Sequence, residues 1–225
     1  MTARAAGPAG FWGSLSSADA DALARRGTVR RFARGQALLH EGQVADRVLF
    51  LRSGRVKVFS VTTGGREVVL AVRGRGELVG ELSALDEAPR SASIVALDPV
   101  EALVVRSGDF RAFLLDHPHA ALALLQMLSR RLRDADAKRV EFTAFNTMGR
   151  VALRIVELAD RFGEREGDAI HVALPLTQEE LAGWTGSSIE SVGRALQTMR
   201  SLRWVETGRR EMRILDLEAI RRAGE

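Results

Sequence analysis

The residues with the clearest chemistry lie in 177–199, TQEELAGWTGSSIESVGRALQTM. Glu190 and Arg194 stand four residues apart, so a helix puts both on one face. A guanidinium can donate to guanine O6 and N7 together, and a carboxylate can accept from the N4 amine of cytosine. Each good pair discriminates bases by about 1–3 kcal/mol. The same spacing also describes an intrahelical ion pair worth about 0.2–0.5 kcal/mol on a solvated face. The surrounding elements must decide between the two.

Those elements predict a helix-turn-helix. Thr177-Gln-Glu-Glu180 is a capping-box pattern, Gly186 permits a turn, and Ser187 or Ser188 caps the second helix. With Ser187 as the cap, Glu190 is its box partner instead of a base reader. Leu181, Val192 and Ala195 supply the contacts between the helices, with Ala182 small at their close approach. Ile189, Glu190, Ser191 and Arg194 then fall in the first two turns of a helix able to enter a major groove. Downstream, residues 204–215 read as a hairpin with Gly208-Arg209-Arg210 at its tip, a wing. Thr177, Ser188, Arg200, Arg203, Arg209 and Arg210 are the expected phosphate contacts, which set affinity and register but not sequence.

A second constellation is Gly80-Glu81-Leu82-Ser83 followed by Pro89-Arg90-Ser91-Ala92. A guanidinium and a hydroxyl beside backbone amides make a compact anion site. The plainer alternative is a surface Arg90 paired with Glu81. The constellation lies in a stretch, residues 29–106, where short apolar runs alternate with glycines at strand-like spacing, with Gly64-Gly65 as a hairpin turn. That texture predicts a β-sandwich or barrel.

Helices flank this array. Ser16-Ser17 opens a short one, with a serine cap, that ends near Gly27. A second runs from Ser107 to about Asp116, and a long one from about Pro118 to Glu141. On the long helix Leu125, Leu128, Leu132 and Ala135 are spaced 3, 4 and 3, a coiled-coil seam of about two heptads. An amphipathic helix packed on its own barrel fits the same spacing. A further helix, about residues 148–161, leads to a polar turn at Gly163-Glu-Arg-Glu-Gly167. The first 13 residues read as a poorly ordered lead-in.

Order of parts and both motifs resemble the CRP/FNR superfamily of bacterial transcription regulators, from about Phe11 to the end. The resemblance implies an α+β fold. Residues 1–116 form a jelly-roll-like, cyclic-nucleotide-binding-type β-roll sensor domain. Residues 117–143 form a dimerisation helix and hinge, and 144–225 a winged helix-turn-helix domain. It implies that Gly80, Glu81, Leu82, Arg90 and Ser91 form a phosphate-binding cassette, with Glu81 on a ribose 2′-hydroxyl and Arg90 and Ser91 on a cyclic phosphate. It also implies a homodimer through Leu125, Leu128, Leu132 and Ala135, a palindromic double-stranded DNA site, and RNA polymerase as a partner.

Two departures stand out. Cyclic-AMP-binding relatives carry a Thr-Ser pair where this chain has Ala135 and Asp136. Asp136 can accept from an adenine amine or from the N1 and N2 hydrogens of guanine; it also reads as a solvated Asp near Arg133 and Arg139. Cyclic AMP and cyclic GMP are therefore candidate effectors, no cofactor is required, and a ligand-independent regulator with a vestigial cassette is the alternative. Ile189 replaces a base-reading Arg of some relatives, which relaxes the expected TGTGA-like half-site there.

Composition narrows the rest. The 225 residues contain no cysteine, which excludes disulfides and thiolate metal sites and fits a reducing cytoplasm. No apolar run reaches the 18 residues a bilayer span needs, so no membrane role is expected. The net charge of +4 is a weak nucleic-acid signal; from Asn146 onward arginines and carboxylates nearly balance, so placement must supply the electrostatics. An enzyme is not expected, nor a metal: the histidines are His40, His117, His119 and His171, and His117-Pro118-His119 sits at a helix start. A cyclic-nucleotide-sensing module acting on a partner protein is the remaining rival, and the winged unit argues against it.

Overall fold

A computed structural model of the protein describes residues 10–173, 176–208 and 210–224. The chain divides into two packed units, the first made mainly of residues through Asp134 and the second of Ala135 onward. The division falls inside the long helix.

The first unit opens with a 3-10 turn at Phe11–Ser14 and α1, Ser17–Arg25. The expected lead-in lies partly outside the described residues, but its end is structural. Phe11 is 1% exposed, and Phe11 and Trp12 both meet the Phe50 ring. Aromatic area of this kind is too large to leave in water when a core is within reach.

Eight strands follow: β1 Gly27–Phe32, β2 Ala37–Leu39, β3 Arg47–Ser53, β4 Val56–Val61, β5 Glu67–Arg73, β6 Leu78–Val79, β7 Ser93–Ala96 and β8 Val100–Arg106. They form two four-stranded sheets, ordered β1-β8-β3-β6 and β2-β7-β4-β5. Strand β3 explains its own uninterrupted apolar run. Leu49 and Leu51 enter one core cluster with Leu38, Val56, Ile94 and Ala102. Val48 and Phe50 enter a second with Leu23, Phe110, Phe113 and Leu124 from the flanking helices. A strand covered on both faces has no polar side to alternate with. The expected turn at Gly64-Gly65 closes with the Gly65 amide donating to Thr62 O at 2.9 Å.

Between β6 and β7 lies α2, Glu81–Asp86. After β8 come α3, Ser107–Asp116, and α4, Pro118–Ala144. Helix α4 buries Ala120, Ala123, Leu124 and Met127 against the β-roll. Its opposite face leaves Leu122, Leu125, Leu132 and Val140 at least half exposed. Of the four expected seam residues, Leu125, Leu132 and Ala135 are exposed, whereas Leu128 is partly buried against the chain's own core. The helix therefore has both faces the spacing allowed, one packed on its own barrel and one apolar and exposed.

The second unit contains α5 Thr147–Phe162, β9 Glu164–Glu166, β10 Ala169–Ala173, α6 Gln178–Thr185, α7 Ile189–Ser201, β11 Val205–Gly208, β12 Glu211–Ile214 and α8 Leu217–Ala223. Asn146 caps α5 by accepting from the Gly149 amide at 3.0 Å. The stretch after α5 is not the simple polar turn its sequence predicts. It is a hairpin, β9 paired with β10, and β10 pairs with β12 of the wing, giving a sheet ordered β11-β12-β10-β9. All three β9 residues are exposed, so only the backbone ladder marks them as strand. Among the described residues no helix is long and apolar enough to cross a membrane.

Candidate effector cassette and DNA-reading surface

The cassette is built around a close approach. Gly80 is left-handed at φ +80°. A Cβ there would stand 2.7 Å from Leu39 Cδ1 and 3.0 Å from Arg90 Nη1, so glycine is what lets Arg90 reach the turn. Arg90 is 4% exposed. Its Nη1 donates to Gly80 O at 2.7 Å, and its Nη2 donates to Arg47 O and, at 3.4 Å, to Asp46. Burial pushes its pKa down while Asp46 opposes the shift. The Asp46 side chain is 60% exposed, so this buried cation is poorly neutralised, the environment that favours an added anion.

Glu81 is also buried, and accepts from Arg131 Nη1 at 2.7 Å. Arg131 Nη2 donates to Leu78 O at 2.8 Å. The simple surface pair of Arg90 with Glu81 is thus not formed: Arg90 is buried and the partner of Glu81 is Arg131. Ser83 Oγ donates to Pro89 O at 3.2 Å, joining the two halves of the motif. Leu82 and Ser91 are exposed. Asp136 is exposed on α4 and ion-pairs with Arg139 at 3.7 Å, the solvated arrangement the sequence allowed.

The helix-turn-helix follows its sequence closely. Thr177 and Glu180 form both bonds of the capping box, at 3.1 and 2.7 Å. Gly186 is left-handed at φ +59°, and a Cβ there would meet Phe142 Cε1 at 2.5 Å. Ser188 caps α7, accepting from the Ser191 amide at 3.1 Å. Ser187 is instead buried and hydrogen-bonded to Thr147, so Glu190 is not its box partner. Leu181, Ala182, Val192 and Ala195 are buried between the helices. Ile189, Glu190 and Arg194 are exposed. No ion pair joins Glu190 to Arg194 among the described residues; Arg194 Nη2 donates to Ser191 Oγ at 3.0 Å. One carboxylate and one guanidinium are thus presented on the same outer face.

Around this face, Thr177, Ser188, Arg200, Arg203 and Arg210 are exposed, while Arg209 lies outside the described residues. Arg200 Nη1 donates to Thr207 Oγ1 at 2.9 Å, tying α7 to the wing. Arg203 and Arg210 adopt positive φ, 59° and 67°.

Three arginines without an expected role organise these sites. Arg131 holds Glu81. Arg150 Nε donates to Thr185 O at 2.7 Å and its Nη1 to Phe145 O, a cation at the carbonyl ends of α6 and α4. Arg154, 4% exposed, pairs with Glu141 and Glu157 and lies 5.5 Å over the Trp184 ring. In an arginine-rich chain nothing in spacing distinguishes these from solvated ones. His117, from the His117-Pro118-His119 triplet, hydrogen-bonds Asp19 at 2.6 Å. Among the described residues no group of three or more His, Asp or Glu is placed to hold a metal.

Comparison with known proteins matches both units of the chain. Residues 29–117 match the cyclic nucleotide-binding domain and residues 149–223 the Crp-like helix-turn-helix domain. A "CRP-like cAMP-activated global transcriptional regulator" of Mycobacterium tuberculosis is 35% identical over 191 residues, 85% of each chain. The chain belongs to the CRP/FNR family of transcription regulators. The cyclic AMP receptor protein of Thermus thermophilus is 34% identical over 170 residues, 76% of each chain. The crystal structure of a CRP-family transcriptional regulator, also from Thermus thermophilus, superposes with a TM-score of 0.75 at 27% identity, covering 87% of this chain and 96% of that one. The CRP/FNR architecture of β-roll, long helix and helix-turn-helix is the one described above, and these relatives are transcription regulators.

Proposed function

We propose that this CRP/FNR protein is a homodimeric, sequence-specific DNA-binding regulator whose β-roll responds to a cyclic nucleotide. The observation that carries the DNA reading is the exposed, mutually unpaired Glu190 and Arg194 on a doubly capped helix-turn-helix. Arg194 grips a guanine and Glu190 a cytosine amine, one half-site per protomer. Thr177, Ser188, Arg200, Arg203, Arg209 and Arg210 supply phosphate contacts. The exposed Leu125 and Leu132, with Ala135 and the edge of Leu128, form the dimer seam. RNA polymerase is the partner at promoters.

The cassette carries the sensing half. Arg90, buried and underneutralised, takes the cyclic phosphate together with Ser91, and Glu81 takes the ribose. Gly80 and Leu82 shape the turn. An effector that engages Glu81 competes with Arg131, and so alters what α4 is tied to. Such a ligand must bind the DNA-competent dimer better than the other state, or it shifts nothing. In the competent dimer the two α7 helices lie about 34–36 Å apart.

A ligand-independent regulator has one observation in its favour: Glu81 and Arg90 both have partners within the chain. Isothermal titration with cyclic AMP and cyclic GMP separates the two. Heat with either supports the sensor; none with both leaves the vestigial cassette. For the DNA half, site selection from a random duplex pool should enrich palindromes with a G·C pair in each half, and an unenriched pool would overturn it.

A further inference from the structure

Gly193 stands in the interior of α7, where glycine is the poorest helix former apart from proline. Nothing inside the protein requires it. Its backbone is ordinary helix, and a Cβ built there would meet only Gln178 Oε1, at 3.7 Å, an ordinary contact. The free protein thus bears a local instability that alanine would remove. The position is one turn beyond Ile189 and next to Arg194, on the side that carries the base readers.

Ile189 is the second oddity. It is a large apolar side chain, 49% exposed, in the first turn of α7 among polar neighbours. Residues 189 and 193 are i and i+4, stacked on one ridge. Helical side chains lean toward the N-terminus, so a side chain at 193 would cover the surface beside Ile189. With glycine there, that surface is open: a small notch with Ile189 as one wall and Gln178 Oε1 at 3.7 Å from where a Cβ would stand. In the major groove the one apolar group that distinguishes bases is the 5-methyl of thymine.

We propose that Ile189 and Gly193 form a notch on α7 that seats the methyl group of a thymine in each half-site, beside the base pair held by Arg194. This rests on the base-reading role of α7 proposed above. Ile189 then does not relax the half-site; it changes the preferred base to thymine, and Gly193 lets the helix backbone approach the base edge.

The test uses the full-length dimer and its selected operator, with each thymine replaced in turn by deoxyuridine, which removes only the methyl. For wild type, one deoxyuridine position per half-site should weaken binding about fourfold, the size expected for one buried methyl group. Ile189→Ala should lose that sensitivity while keeping its G·C preference. Gly193→Ala should melt at a higher temperature than wild type yet bind the operator several-fold more weakly, a combination that a purely structural glycine would not give. Preserved sequence preference with no deoxyuridine effect overturns this inference alone, as does unchanged sensitivity in Ile189→Ala. A Gly193→Ala protein that binds like wild type overturns the part assigned to Gly193. No sequence preference in wild type overturns the base-reading role and this inference with it.

Discussion

Glu81 of the cassette and Arg131 of the long helix are joined by a 2.7 Å hydrogen-bonded ion pair, with side chains only 5% and 17% exposed. A buried pair adds little net stability, because desolvation offsets attraction, but losing one member strands the other. Arg131→Ala should therefore destabilise the β-roll on the order of 3 kcal/mol, measured by urea denaturation. Glu81→Gln with Arg131→Met should recover much of that loss. If Arg131→Ala melts like wild type, the pair does not hold the cassette to α4.

Arg90→Ala removes the buried cation and its three acceptor contacts. The expected dimer is folded, binds operator DNA, and gives no heat with either cyclic nucleotide. Ligand-dependent DNA binding that survives Arg90→Ala would show that the effector acts elsewhere.

At the helix-turn-helix, Gly186→Ala introduces a Cβ at φ +59° and 2.5 Å from Phe142 Cε1. The left-handed backbone alone costs about 1–2 kcal/mol for a residue with a Cβ, and the clash adds to it. A Gly186→Ala, Phe142→Ala double variant should relieve the clash but keep the backbone cost. Thr177→Ala, which removes one side of the capping box, should cost about 1 kcal/mol. Thermal melts of these variants beside wild type check both expectations.

Phosphate and base contacts separate by their salt dependence. Arg203→Ala and Arg210→Ala should each lower affinity for all sequences alike and reduce the slope of log K against log salt by about 1. Arg194→Ala should flatten base preference at one position. A uniform loss from Arg194→Ala would move it to the phosphate class.

Asp19 gives a pH signature. Hydrogen bonds from Ser16 and His117 hold its carboxyl below the ordinary carboxylate value. A group depressed in the folded state contributes stability above its unfolded pKa and loses it as pH falls through the folded value. The contribution should be full at neutral pH and fade below about pH 4, and Asp19→Asn should remove that acid limb from stability measured against pH.

Elements whose pattern carries its own physics were legible in the sequence. The capping box, the glycine turn at 186 and the short apolar run that becomes β3 each follow from local rules, and the helices at Ser107–Asp116 and from Pro118 match their expected starts. What escaped depends on tertiary partners. Strand β1 buries no residue completely and β9 none at all, so only pairing with neighbouring strands defines them. Ser187 and Ser188 offer the same hydroxyl, and the contact with Thr147 decides which one caps. Arg131, Arg150 and Arg154 are indistinguishable from surface arginines until Glu81, Thr185 and Glu141 are brought to them.

Helix α7 as the DNA reader and the β-roll as its control are tested together by one measurement. This is fluorescence anisotropy of the wild-type dimer on its selected palindrome, with and without cyclic AMP or cyclic GMP, at one stated salt concentration. The predicted result is sequence-specific binding that tightens with one nucleotide in wild type and is nucleotide-insensitive in Arg90→Ala. Equal affinity for operator and scrambled duplex, with or without nucleotide, would contradict it.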